Sequence, residues 1–210
     1  MNKKIILIIV AIVVIVLIGW AIFAATNHGS APQAQQQPAQ AGANNQAQSG
    51  QPTAASANLY TSSADGFSVN FPSTPQITKT TFDSPISGSI PVTKYLAQSG
   101  SGSSTKYYAV DVYHYPQTYQ FPDNYLTGAM DLFAMVVNKK YPGAKLTSSQ
   151  STQLSGNAAM AGTIAITIAG KQSENYLVIT TKNHNTYGVG TYGTDQSDYN
   201  SFVNSFTFTQ

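Results

Sequence analysis

The acid–base chemistry available to this chain is small: three histidines, eight carboxylates and ten lysines in 210 residues, with neither cysteine nor arginine. The first pair to test is Asp111 with His114. They lie in a run that alternates as a strand, where residues three apart point to opposite faces, so they cannot pair directly without a bulge. His184 stands between Asn183 and Asn185 in a polar turn, and His28 belongs to a polar N-terminal stretch. No Gly-x-Ser-x-Gly elbow presents a nucleophilic serine. The histidines form no His-x-x-x-His pair, and no Asp-rich loop has the EF-hand form. Glu174 is the only glutamate, and no two carboxylates are singled out for glycoside chemistry. Gly188-x-Gly190 and Gly193 lie in a strand-like run, not in a strand-to-helix turn followed by Lys-Ser/Thr. They read as a bulge or a close backbone approach, not a phosphate cradle. We assign no catalytic, cofactor or metal residue, and the chain reads as a non-enzyme.

The remaining chemistry is that of tyrosine. Tyr107, Tyr113 and Tyr115 share one face of a strand with Asp111, and Tyr119 and Tyr125 follow closely. Tyrosine offers a rigid apolar face with a polar tip, suited to protein partners or sugars. Tyr107, Asp111, Tyr113, Tyr115 and Tyr119 are therefore the candidate binding surface. A helix packed over that face would make the same rings core.

The elements that must position these residues follow from periodicity. Phe67, Val69 and Phe71 alternate with polar residues and are stopped by Pro72 and Pro75, which marks a strand over 66–71. Strands are expected over 76–83, 90–98 and, most clearly, 106–115. The period then changes. Leu126, Ala129, Met130, Phe133, Val136 and Val137 recur at three- and four-residue spacing, the stripe of an amphipathic helix. Asp123 is its expected N-cap, Lys139 and Lys140 suit the negative end of its dipole, and Tyr141-Pro142-Gly143 ends it. Strands resume over 158–169, where Ile164, Ile166 and Ile168 share a face, and over 172–181 and 186–192; the polar run 145–154 has no clear face. Asp195 and Asp198 stand at capping-box spacing before a last helix carrying Tyr199, Phe202 and Val203. Strands on both sides of one long helix imply an α+β fold with a largely antiparallel sheet.

The chain before this domain has a different composition. Ile5 to Ala25 is uninterruptedly apolar, and a helix of about 21 residues covers a ~30 Å hydrocarbon core. Lys3 and Lys4 precede it, and no lysine follows until Lys79. The positive-inside rule then places the N-terminus in the cytoplasm and the rest outside. A cleaved signal peptide is the rival reading, but a good A-x-A site is missing. Residues 27–57 are almost entirely Ala, Gln, Asn, Gly, Ser, Pro and Thr, and cannot bury enough apolar area to offset their ordering entropy. They read as a disordered spacer with an r.m.s. span of about 30 Å. The expected organisation is a transmembrane anchor over 1–26, this linker, and an extracytoplasmic domain over 58–210. The formal charge of +2 resides in Lys3 and Lys4; in the domain, eight lysines balance eight carboxylates. A neutral domain without a basic cluster is a poor nucleic-acid binder.

Three motifs stand in order along that domain: Asp65-Gly66-Phe67-Ser68-Val69-Asn70-Phe71-Pro72, Leu154-Ser155-Gly156-Asn157, and Phe202-Val203-Asn204-Ser205-Phe206-Thr207-Phe208. Together they resemble the PsbP-like family of exported bacterial and plastid domains, whose fold is shared with a nuclear-transport factor that binds the Ran GTPase. The resemblance implies an α/β/α sandwich around an antiparallel sheet and a non-catalytic accessory or binding role. No metal or photosystem site carries over, because no ligand residues match. The anchor and linker depart from the plastid members. The expected function is a membrane-tethered accessory domain that engages an envelope protein or glycan. The alternative is a small-ligand or lipid-binding domain using a pocket between sheet and helix.

Overall fold

The computed structural model describes residues 58–84, 88–168 and 171–209. The expected anchor over 1–26 and linker over 27–57 lie outside these. Among the described residues no helix is long and apolar enough to cross a membrane.

The strands are β1 (Asn58–Ser62), β2 (Phe67–Phe71), β3 (Gln76–Ser84), β4 (Gly88–Ser99), β5 (Lys106–His114), β6 (Lys145–Leu154), β7 (Asn157–Ile168), β8 (Lys171–Lys182), β9 (Asn185–Tyr192) and β10 (Thr207–Phe208). The helices are α1 (Tyr125–Lys140) and α2 (Gln196–Asn204). Seven strands form one sheet in the order β3-β4-β5-β9-β8-β7-β6, and β1-β2-β10 form a second, small one. Every pairing among these is antiparallel. The fold is α+β, as the change of hydrophobic period implies.

The alternation along each central strand divides the core in two. On one face of the large sheet, Met160, Ile164 and Ile166 of β7 with Leu177 and Ile179 of β8 meet Ala129, Met130, Phe133, Val136 and Val137 of α1. On the other face, Tyr108, Val110 and Val112 of β5 with Val178 and Val189 meet Phe67, Val69 and Phe71 of β2, Phe202 of α2 and Phe206. The small sheet and α2 thus cover the second face together.

Local chemistry explains the boundaries. At α2, Asp195 Oδ1 accepts from the Asp198 amide at 2.8 Å, the cap that the Asp-x-x-Asp spacing implies. At α1 the expectation needs correcting. The helix begins at Tyr125, two residues after Asp123, and Asn124 occupies the N-cap position without a capping side-chain bond. Close packing of α1 on β7 depends on Gly162, where a Cβ would lie 2.4 Å from Met130 Sδ. The β8–β9 turn is Asn183-His184, with φ of 49° and 61°. That is the left-handed conformation a two-residue hairpin requires, and Asn tolerates it well. Ser155-Gly156 makes the same kind of turn between β6 and β7, with φ of 49° and 78°. The polar run 145–154 is the edge strand β6, exposed over most of its length, so it has no face to bury and no period to read.

Candidate functional site

Between α1 and the centre of the large sheet lies a cavity. Its floor is Ala109 and Asp111 of β5, Gly188 and Gly190 of β9, and Leu177 and Ile179 of β8; its roof is Ala129 and Phe133 of α1. The volume open to the centre of a water-sized sphere is about 70 Å³, and the whole depression including its solvent-open part is about 880 Å³. A single water needs roughly 10–15 Å³ by the first measure, so this space has room for several non-hydrogen atoms.

The floor is open because of which residues pair there. Gly190 pairs with Ala109 on one side and Leu177 on the other, and Gly188 with Asp111 and Ile179. Three of the four central positions on β5 and β9 therefore carry a methyl group or less. The two glycines differ. A Cβ at Gly190 would lie 2.7 Å from the Tyr176 carbonyl oxygen, whereas one at Gly188 would meet only Leu177 Cδ1, at 3.7 Å. Gly190 is a close backbone approach, one of the two roles its sequence position allows, and the register shows no bulge there.

One end of the cavity is closed and the other open. At the closed end Tyr113, Tyr125 and Thr186 are all buried. There Tyr125 Oη lies 3.1 Å from Tyr115 Oη and 2.8 Å from Thr186 Oγ1, a buried chain of hydroxyls. Burial pushes the Tyr125 phenol up to about 12 and also raises those of Tyr113 and Tyr115 well above the ordinary value. All three therefore remain neutral donors and acceptors. At the other end Tyr141, Asn175 and Tyr192 are only half-buried and form the mouth.

Two lining residues each carry a buried polar atom without a hydrogen-bond partner, the Tyr113 hydroxyl and Asn175 Oδ1. Beside Tyr113 on the same strand face lies Asp111, whose carboxylate is 3.8 Å from the Lys94 ammonium on β4. Both side chains are over nine-tenths buried. Desolvation outweighs their mutual attraction, raising the Asp111 pKa and lowering that of Lys94. An isolated buried charge would cost far more.

The tyrosine face marked by the sequence is thus brought together, but indoors. Asp111 and Tyr113 line the cavity, and Tyr115 is buried against Tyr119, Phe121 and Tyr125. Tyr107 and Tyr119 are half-buried, Tyr107 packing on Tyr192 near the mouth. These residues line an interior wall and its margin, not an exposed patch. Asn175, Tyr141 and Tyr192 were not legible as site residues. The one available signal was the pair of glycines, Gly188 and Gly190, that pair with Asp111 and Ala109.

A second polar cluster lies on the opposite face of the sheet. Tyr95 Oη donates to Asp65 Oδ2 and lies 2.7 Å from Ser62 Oγ. His114 Nε2 is 3.4 Å from Asp65 Oδ1 and 3.1 Å from Thr93 Oγ1, while Tyr187 Oη donates to the Asp65 carbonyl at 2.9 Å. His114 does not meet Asp111, as the strand geometry requires. It meets Asp65, 49 positions away, which no local spacing could reveal. His184 Nδ1 lies 3.3 Å from the Tyr119 carbonyl oxygen. Among the described residues no three His, Asp or Glu side chains converge on a metal position.

The three motifs behind the family resemblance also meet, away from the cavity. Ser68 Oγ and Thr207 Oγ1 lie 2.8 Å apart, the Phe208 amide donates to Ser155 Oγ, and the rings of Phe67 and Phe206 stack at 5.5 Å. They build the small sheet and its anchorage.

No protein-family model matches the chain, and no curated protein matches it. Among solved structures the chain is similar to cyanobacterial PsbP (CyanoP) from Synechocystis sp. PCC 6803. The identity is 13% and the TM-score 0.45, over 77% of this chain and 98% of the other.

Proposed function

We propose that this is a non-catalytic binding domain, PsbP-like on its three motifs, that takes a small and largely apolar ligand between α1 and the large sheet. Residues 5–25 hold it to the cytoplasmic membrane, and the spacer over 27–57 lets it reorient on the outer side. The single observation that carries this reading is the cavity, whose floor is held open by Gly188, Gly190 and Ala109 and two of whose lining residues, Tyr113 and Asn175, carry a buried polar atom without a partner. Protein interiors are close-packed and their buried polar atoms are nearly always paired, so both departures in one place point to an occupant. Apolar concave sites with a few convergent polar groups are the usual form of a small-molecule site.

The reading of an exposed tyrosine surface for an envelope protein or glycan is less favoured here, because Tyr113 and Tyr115 are buried and Tyr107 and Tyr119 half-buried. An enzymatic reading would need a histidine and a carboxylate facing a cleft. His114 and Asp65 are neighbours, but neither lines the cavity.

Photoaffinity labelling tests the proposal. The full chain in lipid nanodiscs is irradiated with a diazirine derivative of 4-phenylbutan-1-ol, and labelled residues are mapped by mass spectrometry. The expected label falls on α1 around Ala129 and Phe133 and on β8 around Leu177. It is expected to vanish in Ala109→Leu, which fills the floor. Labelling confined to residues 5–25 overturns the proposal.

A further inference from the structure

The two unpartnered atoms are not equivalent in position. Tyr113 pairs with Thr186, whereas Asn175 pairs with Tyr192, and Tyr192 pairs with Tyr107. Along β5 these rows are six residues apart, about 20 Å of strand. The Tyr113 row is the closed end and the Asn175 row the mouth. Between them the floor is Ala109, Gly188, Gly190 and Leu177, with no polar side chain but Asp111 beside Tyr113. The cavity is therefore polar at its blind end, apolar along its length, and polar again at its rim.

From this we infer that the ligand is an elongated, neutral amphiphile that enters polar end first, seats a hydroxyl or amide group on the Tyr113 hydroxyl, and lays its apolar body along the glycine floor. The inference rests on the reading of the cavity as a ligand site. Tyr113 lines the cavity and is 5% exposed, and its hydroxyl is buried without a partner. It can both donate and accept, so it matches an alcohol or an amide. A carboxylate is a poor fit, since it would enter an apolar channel and stop beside Asp111. A free ammonium would have to share Asp111 with Lys94, which already lies 3.8 Å from it. A plain hydrocarbon would leave the Tyr113 hydroxyl unmatched. The apolar middle excludes sugars, whose hydroxyls would face Leu177, Ala109 and Phe133.

The test uses the same nanodisc-embedded full chain and photolabel, with unlabelled n-butylbenzene, 4-phenylbutan-1-ol and 4-phenylbutyrate as competitors. Each competitor is compared between wild type and Tyr113→Phe in identical nanodiscs, so its partition into lipid cancels. The alcohol is expected to lose about tenfold in competing strength in Tyr113→Phe, the size of one hydrogen bond, while butylbenzene is unchanged. The butyrate is expected to compete weakest in wild type. Three results overturn the inference: an alcohol insensitive to Tyr113→Phe, an alcohol sensitive to Asn175→Ala instead, or a butyrate stronger than the alcohol. In each of these the label still maps to the cavity, and the ligand-site reading stands. If no competitor displaces the label, or the label lies elsewhere, the reading itself falls and this inference with it. Tyr113→Phe removes only an unpartnered oxygen and should fold. A urea midpoint that is unchanged or raised confirms that the loss belongs to binding.

Discussion

The two faces of the large sheet are built from alternate residues of the same strands, yet they are finished differently. On the face covered by β2, β10 and α2, Phe67, Val69 and Phe71 are fully buried, and Phe67 lies within 5.5 Å of both Tyr95 and Phe206. The polar groups enclosed there, Ser62, Asp65 and Tyr95, are all partnered. On the face covered by α1, the floor is glycine and alanine, a cavity remains, and two polar atoms are left without partners. Because strand alternation assigns neighbouring residues to opposite faces, one face can be spent on stability while the other keeps space. The difference teaches where to look for function: in the face that stability has not filled.

The comparison can be broken first at the aromatic rings. Phe67→Ala should cost about 3–5 kcal/mol in urea unfolding, the range for deleting a closely packed aromatic. Phe133→Ala on α1 should cost distinctly less, because that ring already borders free space and loses fewer contacts. Equal losses would mean that the α1 face is packed as tightly as the other.

The difference between the faces was only half legible in sequence. Period 2 in Phe67, Val69 and Phe71, and period 3.6 from Leu126 to Val137, identify strand, helix and their buried sides, since each pattern reflects which face leaves water. The Asp195 cap was legible because its chemistry is local. What decided the site was not local. Alternation shows that Tyr113 and Asp111 share a face, but whether a helix covers them depends on where α1 packs. Asp65 and His114 meet only through the docking of the small sheet, and β1 and β6 escaped because an exposed edge has little to bury. Gly188 and Gly190 were legible as a bulge or a close backbone approach, yet the space they leave depends on Ala109 and Asp111 opposite them.

A second way to sharpen the comparison is through the charged pair below the cavity. Burial raises the Asp111 pKa above 3.8, so its contribution to stability is full below that value and is lost as pH rises through the folded one. Burial lowers the Lys94 pKa below 10.5, so its contribution is present above that value and is lost as pH falls through the folded one. Wherever both groups are charged, the pair contributes least. Stability should therefore decline as pH rises from about 4 through the folded pKa of Asp111, and Asp111→Asn should flatten that decline in urea titrations. The double replacement Lys94→Met/Asp111→Leu should stabilise the domain by about 1–4 kcal/mol at neutral pH. A loss of stability there would show that the pair is held by more than its own attraction, and would make the α1 face as well satisfied as the other.

The smallest expected effects come from two hydroxyls on opposite faces. Tyr95 and Tyr113 are both buried tyrosines of neighbouring strands, and each becomes phenylalanine by loss of one oxygen. Tyr95 Oη serves Asp65 and Ser62 together, so Tyr95→Phe removes a donor from a buried carboxylate and a partner from Ser62. The expected cost is about 1–3 kcal/mol, the range for leaving such groups short of a bond. Asp65 keeps His114 at 3.4 Å, which places the loss toward the lower end. Tyr113 Oη has no protein partner to abandon. Tyr113→Phe should leave stability unchanged or raise it by up to about 1 kcal/mol, because a buried hydroxyl without a bond is itself a cost. Opposite signs in urea midpoints would mean that Tyr113 carries an oxygen that folding does not need. A loss of similar size in both would mean that the Tyr113 hydroxyl is already satisfied within the domain, and the cavity would have no polar end left to offer a ligand.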